Sequence, residues 1–139
     1  YINGTGVRQS YTSAAHWLKL AAQNRNAYAC TNLALLYVKG LGVQKDLAKA
    51  ATYFTHAAEK GQSLAQSRLA VMYQYGRGLE LDRVMAYKWH YLAASGGNDN
   101  SRDNLNILAE QMTPAQIDTA VKLARGQQKE YSPKLALAK

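Results

Sequence analysis

Apolar residues recur along this chain at helical rather than strand spacing, in blocks separated by glycine. Between Asn26 and Lys39, the residues Ala29, Leu33, Ala34 and Tyr37 share one helix face. Gly40 can end that helix in a left-handed conformation without steric cost, and Gly42 gives the loop a second flexible point. Asp46 then offers an acceptor to free amides, and a second stripe follows at Ala50, Tyr53, Phe54, Ala57 and Ala58. The spacing therefore predicts a helix A, a glycine loop and a helix B, closed by Gly61. Paired alanines on helix B let two helix backbones approach closely.

The block repeats. Tyr37-Val-Lys-Gly40-Leu-Gly42-Val-Gln-Lys-Asp46 returns 36 residues on as Tyr73-Gln-Tyr-Gly76-Arg-Gly78-Leu-Glu-Leu-Asp82. It stands 36 residues earlier as Tyr1-Ile-Asn-Gly4-Thr-Gly6-Val-Arg-Gln-Ser10. Ala14, Ala50 and Ala86 keep the register, as do Trp17, Tyr53 and Trp89, and Leu33, Leu69 and Leu105. A fixed period of this length, with two helices in each unit, predicts an all-α solenoid of about three repeats, each burying its apolar face against its neighbours.

The repeat array is expected over residues 1–112. Ser10 takes the capping place of Asp46, and the first helix B runs to about Gln23. Later helices are expected at about Gln62–Tyr75, Asp82–Ser95 and Asp99–Gln111. Thr113-Pro114-Ala-Gln116 reads as a helix start, with Thr as N-cap, Pro in the first turn and Gln three residues after the cap. That predicts a closing helix to about Gln127 within a capping segment 113–128, then a basic tail over 129–139. Because the chain opens inside a repeat, it reads as a monomeric fragment of a longer protein.

The pattern Ala14-x-x-Trp17-x-x-x-Ala21-Ala22, then Ala29-x-x-x-Leu33-Ala34-x-x-Tyr37-x-x-Gly40-x-Gly42-Val43-x-x-Asp46, resembles the Sel-one-like repeat, a relative of the tetratricopeptide repeat. The match covers roughly residues 1 to 105, and the Thr-Pro closing helix is similar to the ending of bacterial members. Arg25 and Asn26 depart from it, where the other units have Gly61 and Gly97, and Leu79 replaces Val43. The resemblance implies a scaffold or adaptor without catalysis. It also implies a right-handed superhelix, and it favours a periplasmic or exported bacterial protein over a cytoplasmic one, serving envelope regulation, motility, polarity or host interaction.

Composition narrows the partners. With 139 residues and 47% apolar content the chain can bury one continuous core. No apolar run approaches the ~20 residues of a membrane span. One cysteine, Cys30, excludes an internal disulfide and a cysteine zinc cluster. Seventeen Lys and Arg against nine Asp and Glu give +8, which suits an anionic partner. The charges are scattered and lack a basic–aromatic platform, so nucleic acid is not the expected ligand.

Candidate chemistry is sparse. The Gly-x-Gly loops lack the strand and third glycine of a phosphate cradle and read as helix ends. His16, His56 and His90 share no register, so they read as packed side chains with one polar tip satisfied rather than metal ligands. Asp99 and Asp103, one helical turn apart, read as solvated carboxylates. No nucleophile motif and no cofactor fingerprint appears, and no cofactor is expected.

The expected site is the line of helix A positions that vary while their neighbours hold. If helix A lines a concave face, Asn32, Arg68 and Asn104 form a polar ladder, with Leu35, Val71 and Ile107 beside it. Lys39, Tyr75 and Gln111 stand at the helix ends, and Tyr28, Leu64 and Asn100 at the beginnings. Amides and a guanidinium suit an extended peptide backbone or a carboxylate. The expected function is binding of a protein or peptide. The alternatives are an anionic envelope polymer or glycan, from the charge and ten tyrosines, and a hydrolase using Asp99 or Asp103.

Overall fold

The computed structural model describes residues 4–131, with side-chain surroundings over residues 10–129. Among these residues seven helices follow one another: α1 (Gly4–Gln23), α2 (Ala27–Lys39), α3 (Leu47–Glu59), α4 (Ser63–Tyr75), α5 (Arg83–Ser95), α6 (Asp99–Ala109) and α7 (Pro114–Tyr131). There is no strand among the described residues. Helix pairs α2–α3 and α4–α5 are the expected A and B helices of two whole repeats.

Polar caps set the helix starts. Asn26, Asp46, Asp82 and Asn98 each accept a bond from the amide three residues on, at 2.9–3.1 Å. Gln62 holds the corresponding place before α4 without capping it, because its side-chain oxygen accepts the Thr31 hydroxyl instead. Thr113 and Gln116 form a reciprocal box: the Thr113 amide donates to Gln116 Oε1 at 2.9 Å, and the Gln116 amide to Thr113 Oγ1 at 3.1 Å.

Each glycine of the Gly-x-Gly loop has a distinct task. Gly40 and Gly76 end their helices in the left-handed region, at φ 70° and 65°. Gly42 and Gly78 make a close approach. A Cβ on Gly42 would lie 2.2 Å from the Tyr11 carbonyl oxygen, and one on Gly78 would lie 2.5 Å from that of Leu47. Tyr11 and Leu47 are themselves one period apart, so each loop seats on the same point of the preceding helix B.

Packing runs between neighbours in the chain, α1 on α2 through α5 on α6, with α7 returning to α5. One core holds Leu33, Tyr37, Phe54, Leu69 and Trp89 with Ala50, Ala51, Ala57 and Ala58 of α3, all buried. A smaller cluster around Leu108 and Met112 lies under α7, whose Ala120 and Ala124 are fully buried.

Four expectations change. Ser10 is not an N-cap: α1 is continuous from Gly4, so the expected loop at Gly4 and Gly6 is helical. The other loops are pinned by Asp46 N–H to Tyr37 O and Asp82 N–H to Tyr73 O, and the equivalent acceptor falls at Tyr1, outside the described residues. Trp17 is 68% exposed, although its register mate Trp89 is buried. Tyr53 in that register stacks on Tyr37, and the matching partner for Trp17 is again Tyr1. Leu105 is only half-buried, and Leu108 fills the core of the last unit instead. Finally, α7 extends to Tyr131, so Lys129, expected in the tail, is helical. Lys134 and Lys139 lie outside the described residues.

Candidate partner-binding surfaces

Positions 28, 32, 35 and 39 of α2 lie at helical spacing, and positions one and two periods on share that face of α4 and α6. Tyr28 is 74% exposed, Asn32 and Lys39 are exposed, and Leu35 is half-buried. On α4, Leu64 and Arg68 are exposed, Val71 is half-buried and Tyr75 is 60% exposed. On α6, Ile107 is exposed and Asn104 is half-buried. Asn104 is committed locally, its Nδ2 donating to the Asn100 carbonyl at 2.9 Å.

Leu35, Arg68 and Val71 line one depression of about 90 Å³, together with Val38, Phe54 and Arg77. Leu47 and Phe54 reach it from α3, so helix B side chains share the recess with helix A residues and with Arg77 of the following loop. Asn32 and Asn104 are not among the residues lining this recess, and neither are Tyr28, Lys39 or Tyr75. An apolar floor with guanidinium groups at the rim can take a side chain and hold a carboxylate or backbone carbonyl beside it.

The histidines separate. His56 and His16 are exposed, contrary to the packed reading. His90 is fully buried and has both ring nitrogens satisfied: Nδ1 lies 2.9 Å from Ser101 Oγ and Nε2 3.0 Å from Gln74 Oε1. Burial alone lowers its pKa to about 4. Asp99 and Asp103 are exposed, and Asp99 pairs with Arg102 at 3.8 Å.

A second, larger recess of about 580 Å³ lies between α1, α2 and α3, lined by Lys19, Arg25, Cys30, Tyr53, His56 and Lys60 among others. Sequence reasoning missed it because its cations come from three elements. The available signal was Arg25, a residue with a side chain standing where both other units have glycine.

Comparison with known proteins places this geometry. A model of the Sel1 repeat matches residues 1–26, 27–62 and 63–98. Among solved structures, c5321, a protective antigen present in uropathogenic Escherichia coli strains and displaying an SLR fold, is 34% identical, with a TM-score of 0.83. The likeness covers 88% of this chain and 27% of c5321. A Sel1 repeat protein from Oxalobacter formigenes is 27% identical, with a TM-score of 0.70, over 72% of this chain and 41% of that one. The matched stretch thus spans less than half the length of either. No curated protein matches.

Proposed function

The chain belongs to the Sel1 repeat family, and from that premise we propose that it is a non-catalytic module that grips an extended segment of a protein partner along α2, α4 and α6. Sel1 repeats are scaffolds for protein interaction, and no helix among the described residues is long and apolar enough to cross a membrane. The observation that carries the choice of face is the recess where Leu35, Val71 and Arg68 meet over Phe54. Tyr28, Leu64, Tyr75 and Ile107, four of the eight large apolar side chains that are exposed among the described residues, stand on the same face of these helices. Apolar side chains left in water along one line offer burial to a partner, and Arg68 beside them supplies orientation. Both solved relatives come from bacteria, which supports a bacterial setting for this module.

The test is a peptide library selected on the immobilised chain, followed by calorimetry of the selected peptides. Arg68→Ala should weaken binding by about 2 kcal/mol, roughly thirtyfold, while leaving the melting temperature nearly unchanged. If Arg68→Ala binds like wild type while charge reversal at Lys129 and Lys134 removes affinity, the helix A face is not the site.

A further inference from the structure

The recess between α1, α2 and α3 gathers Lys19, Arg25 and Lys60 with the imidazole of His56, against one carboxylate, Glu59. The Lys60 ammonium donates to the Arg25 carbonyl and so ties the turn after α1 to the end of α3. Lys19 also borders a neighbouring recess where Lys45 and Lys49 outnumber one carboxylate, Asp46. At about 580 Å³ the cavity has the size of a small-ligand site. Its floor carries the Tyr53 ring and the buried Cys30.

The fold does not require these charges, and the chain contains its own control. One period on, Lys19 becomes Thr55, Arg25 becomes Gly61, Cys30 becomes Gln66, His56 becomes Leu92 and Lys60 becomes Gly96. All the cations are gone, and the space is used differently. Gln66 is buried, with its Nε2 donating to the Ala58 carbonyl at 3.2 Å. A Cβ at Gly96 would lie 2.1 Å from Ser63 Oγ, so that corner is closed. Among the described residues the first interface pairs a small buried thiol with long cationic side chains, and a recess stands open there.

Arg25 carries a second mark. Its φ is +61°, the one left-handed non-glycine residue among those described, while Gly61 and Gly97 hold its place in the other units at +92° and +97°. A side chain kept where the backbone favours glycine is strain retained, and such strain clusters at ligand sites.

We propose that this cavity binds a small polyanion, a sugar-sized ligand bearing a phosphate monoester or paired carboxylates. The Arg25 fork takes two anionic oxygens, Lys19 and Lys60 add point charges, and Tyr53 lies under the uncharged part of the ligand. This site involves other helix faces than the peptide recess, so either can fail without the other.

The experiment measures melting temperature and amide NMR shifts of the 139-residue chain with inorganic phosphate, glucose 6-phosphate or citrate. Glucose and sodium chloride at matched ionic strength are the neutral and salt references. At least one anion should raise the melting temperature beyond salt and shift amides of α1, the 24–26 turn and the end of α3. Phosphate and glucose 6-phosphate acting without citrate would assign the phosphate source, and citrate alone the carboxylate. Arg25→Gly supplies the residue that this φ favours, so the protein should fold at least as stably while affinity falls tenfold or more. Lys19→Gln should weaken binding several-fold, and Arg125→Gln, removing one charge from α7, should not. The proposal is overturned if no anion acts beyond salt, if Arg25→Gly binds like wild type, or if Arg125→Gln loses as much.

Discussion

His90 Nδ1 lies 2.9 Å from Ser101 Oγ in the buried interior between α4, α5 and α6. On the other side of the ring Gln74 Oε1 can only accept, so Nε2 carries the hydrogen and Nδ1 accepts the Ser101 hydroxyl. One period earlier the same three places hold Val38, Phe54 and Ala65, all in the apolar core. An apolar set has been exchanged as a whole for a hydrogen-bonded one. That is the form in which a buried polar group is tolerated, since a half-satisfied network costs more than an apolar core.

Stability should therefore fall in mild acid. The folded protein holds His90 neutral with a pKa of about 4, whereas the unfolded imidazole titrates near 6.5. Its contribution is fully present above about pH 6.5 and is lost as pH falls towards 4, because only the unfolded chain takes up the proton in that window. The loss is roughly 3 kcal/mol. Urea titrations between pH 7 and 4 measure it.

Breaking the network and replacing it should have opposite outcomes. Ser101→Ala leaves a buried ring nitrogen without its donor and should cost about 1–3 kcal/mol. The triple change Gln74→Val, His90→Phe and Ser101→Ala restores the set found one repeat earlier and should lie within ~1.5 kcal/mol of wild type. The triple variant should also lose the part of the acid sensitivity that belongs to His90. If it keeps the whole wild-type slope, other groups are responsible.

Central packing separates from loop chemistry at Leu69 and Arg77. Leu69 is completely buried, so Leu69→Ala should cost roughly 2–5 kcal/mol through lost burial and the cavity left behind. Arg77 is exposed in the loop after α4, and Arg77→Ala should cost less than ~0.5 kcal/mol. Equal midpoints for the two variants in denaturant would contradict this core.

Two glycine-to-alanine changes should have opposite signs. At Gly78 the added Cβ meets the Leu47 backbone at 2.5 Å and φ is +74°, so Gly78→Ala should destabilise by more than ~1 kcal/mol. Gly126 lies inside α7 with nothing within 4 Å of a new Cβ, and Gly126→Ala should stabilise by about 0.5–1 kcal/mol. Thermal melts of both variants give the comparison.

Much of the fold was legible in the sequence because its determinants are local. Asp46, Asp82 and Thr113 cap amides three residues away, and a cap followed by a helical apolar stripe can be read without knowing what it packs against. The candidate face was legible only as a line of positions. That Leu35, Arg68 and Val71 share a recess depends on Phe54 from another helix, and that Asn104 turns back on Asn100 depends on its own rotamer.

The period could be read from the chain alone, and with it α2 to α7 and the caps at Asp46, Asp82 and Thr113, because these rest on contacts within a few residues repeated in register. What the repeats do differently depends on packing between distant segments. The equivalent positions Phe54 and His90 are both fully buried, one in an apolar core and one in a polar network, according to the partners α4 and α6 bring. Trp17 and Trp89 share a register but not an environment. Lys19, Arg25, His56 and Lys60 are spread over more than one period of chain and form one cavity only when α1, α2 and α3 pack. Periodicity specifies where a side chain points, and packing between elements specifies what it meets.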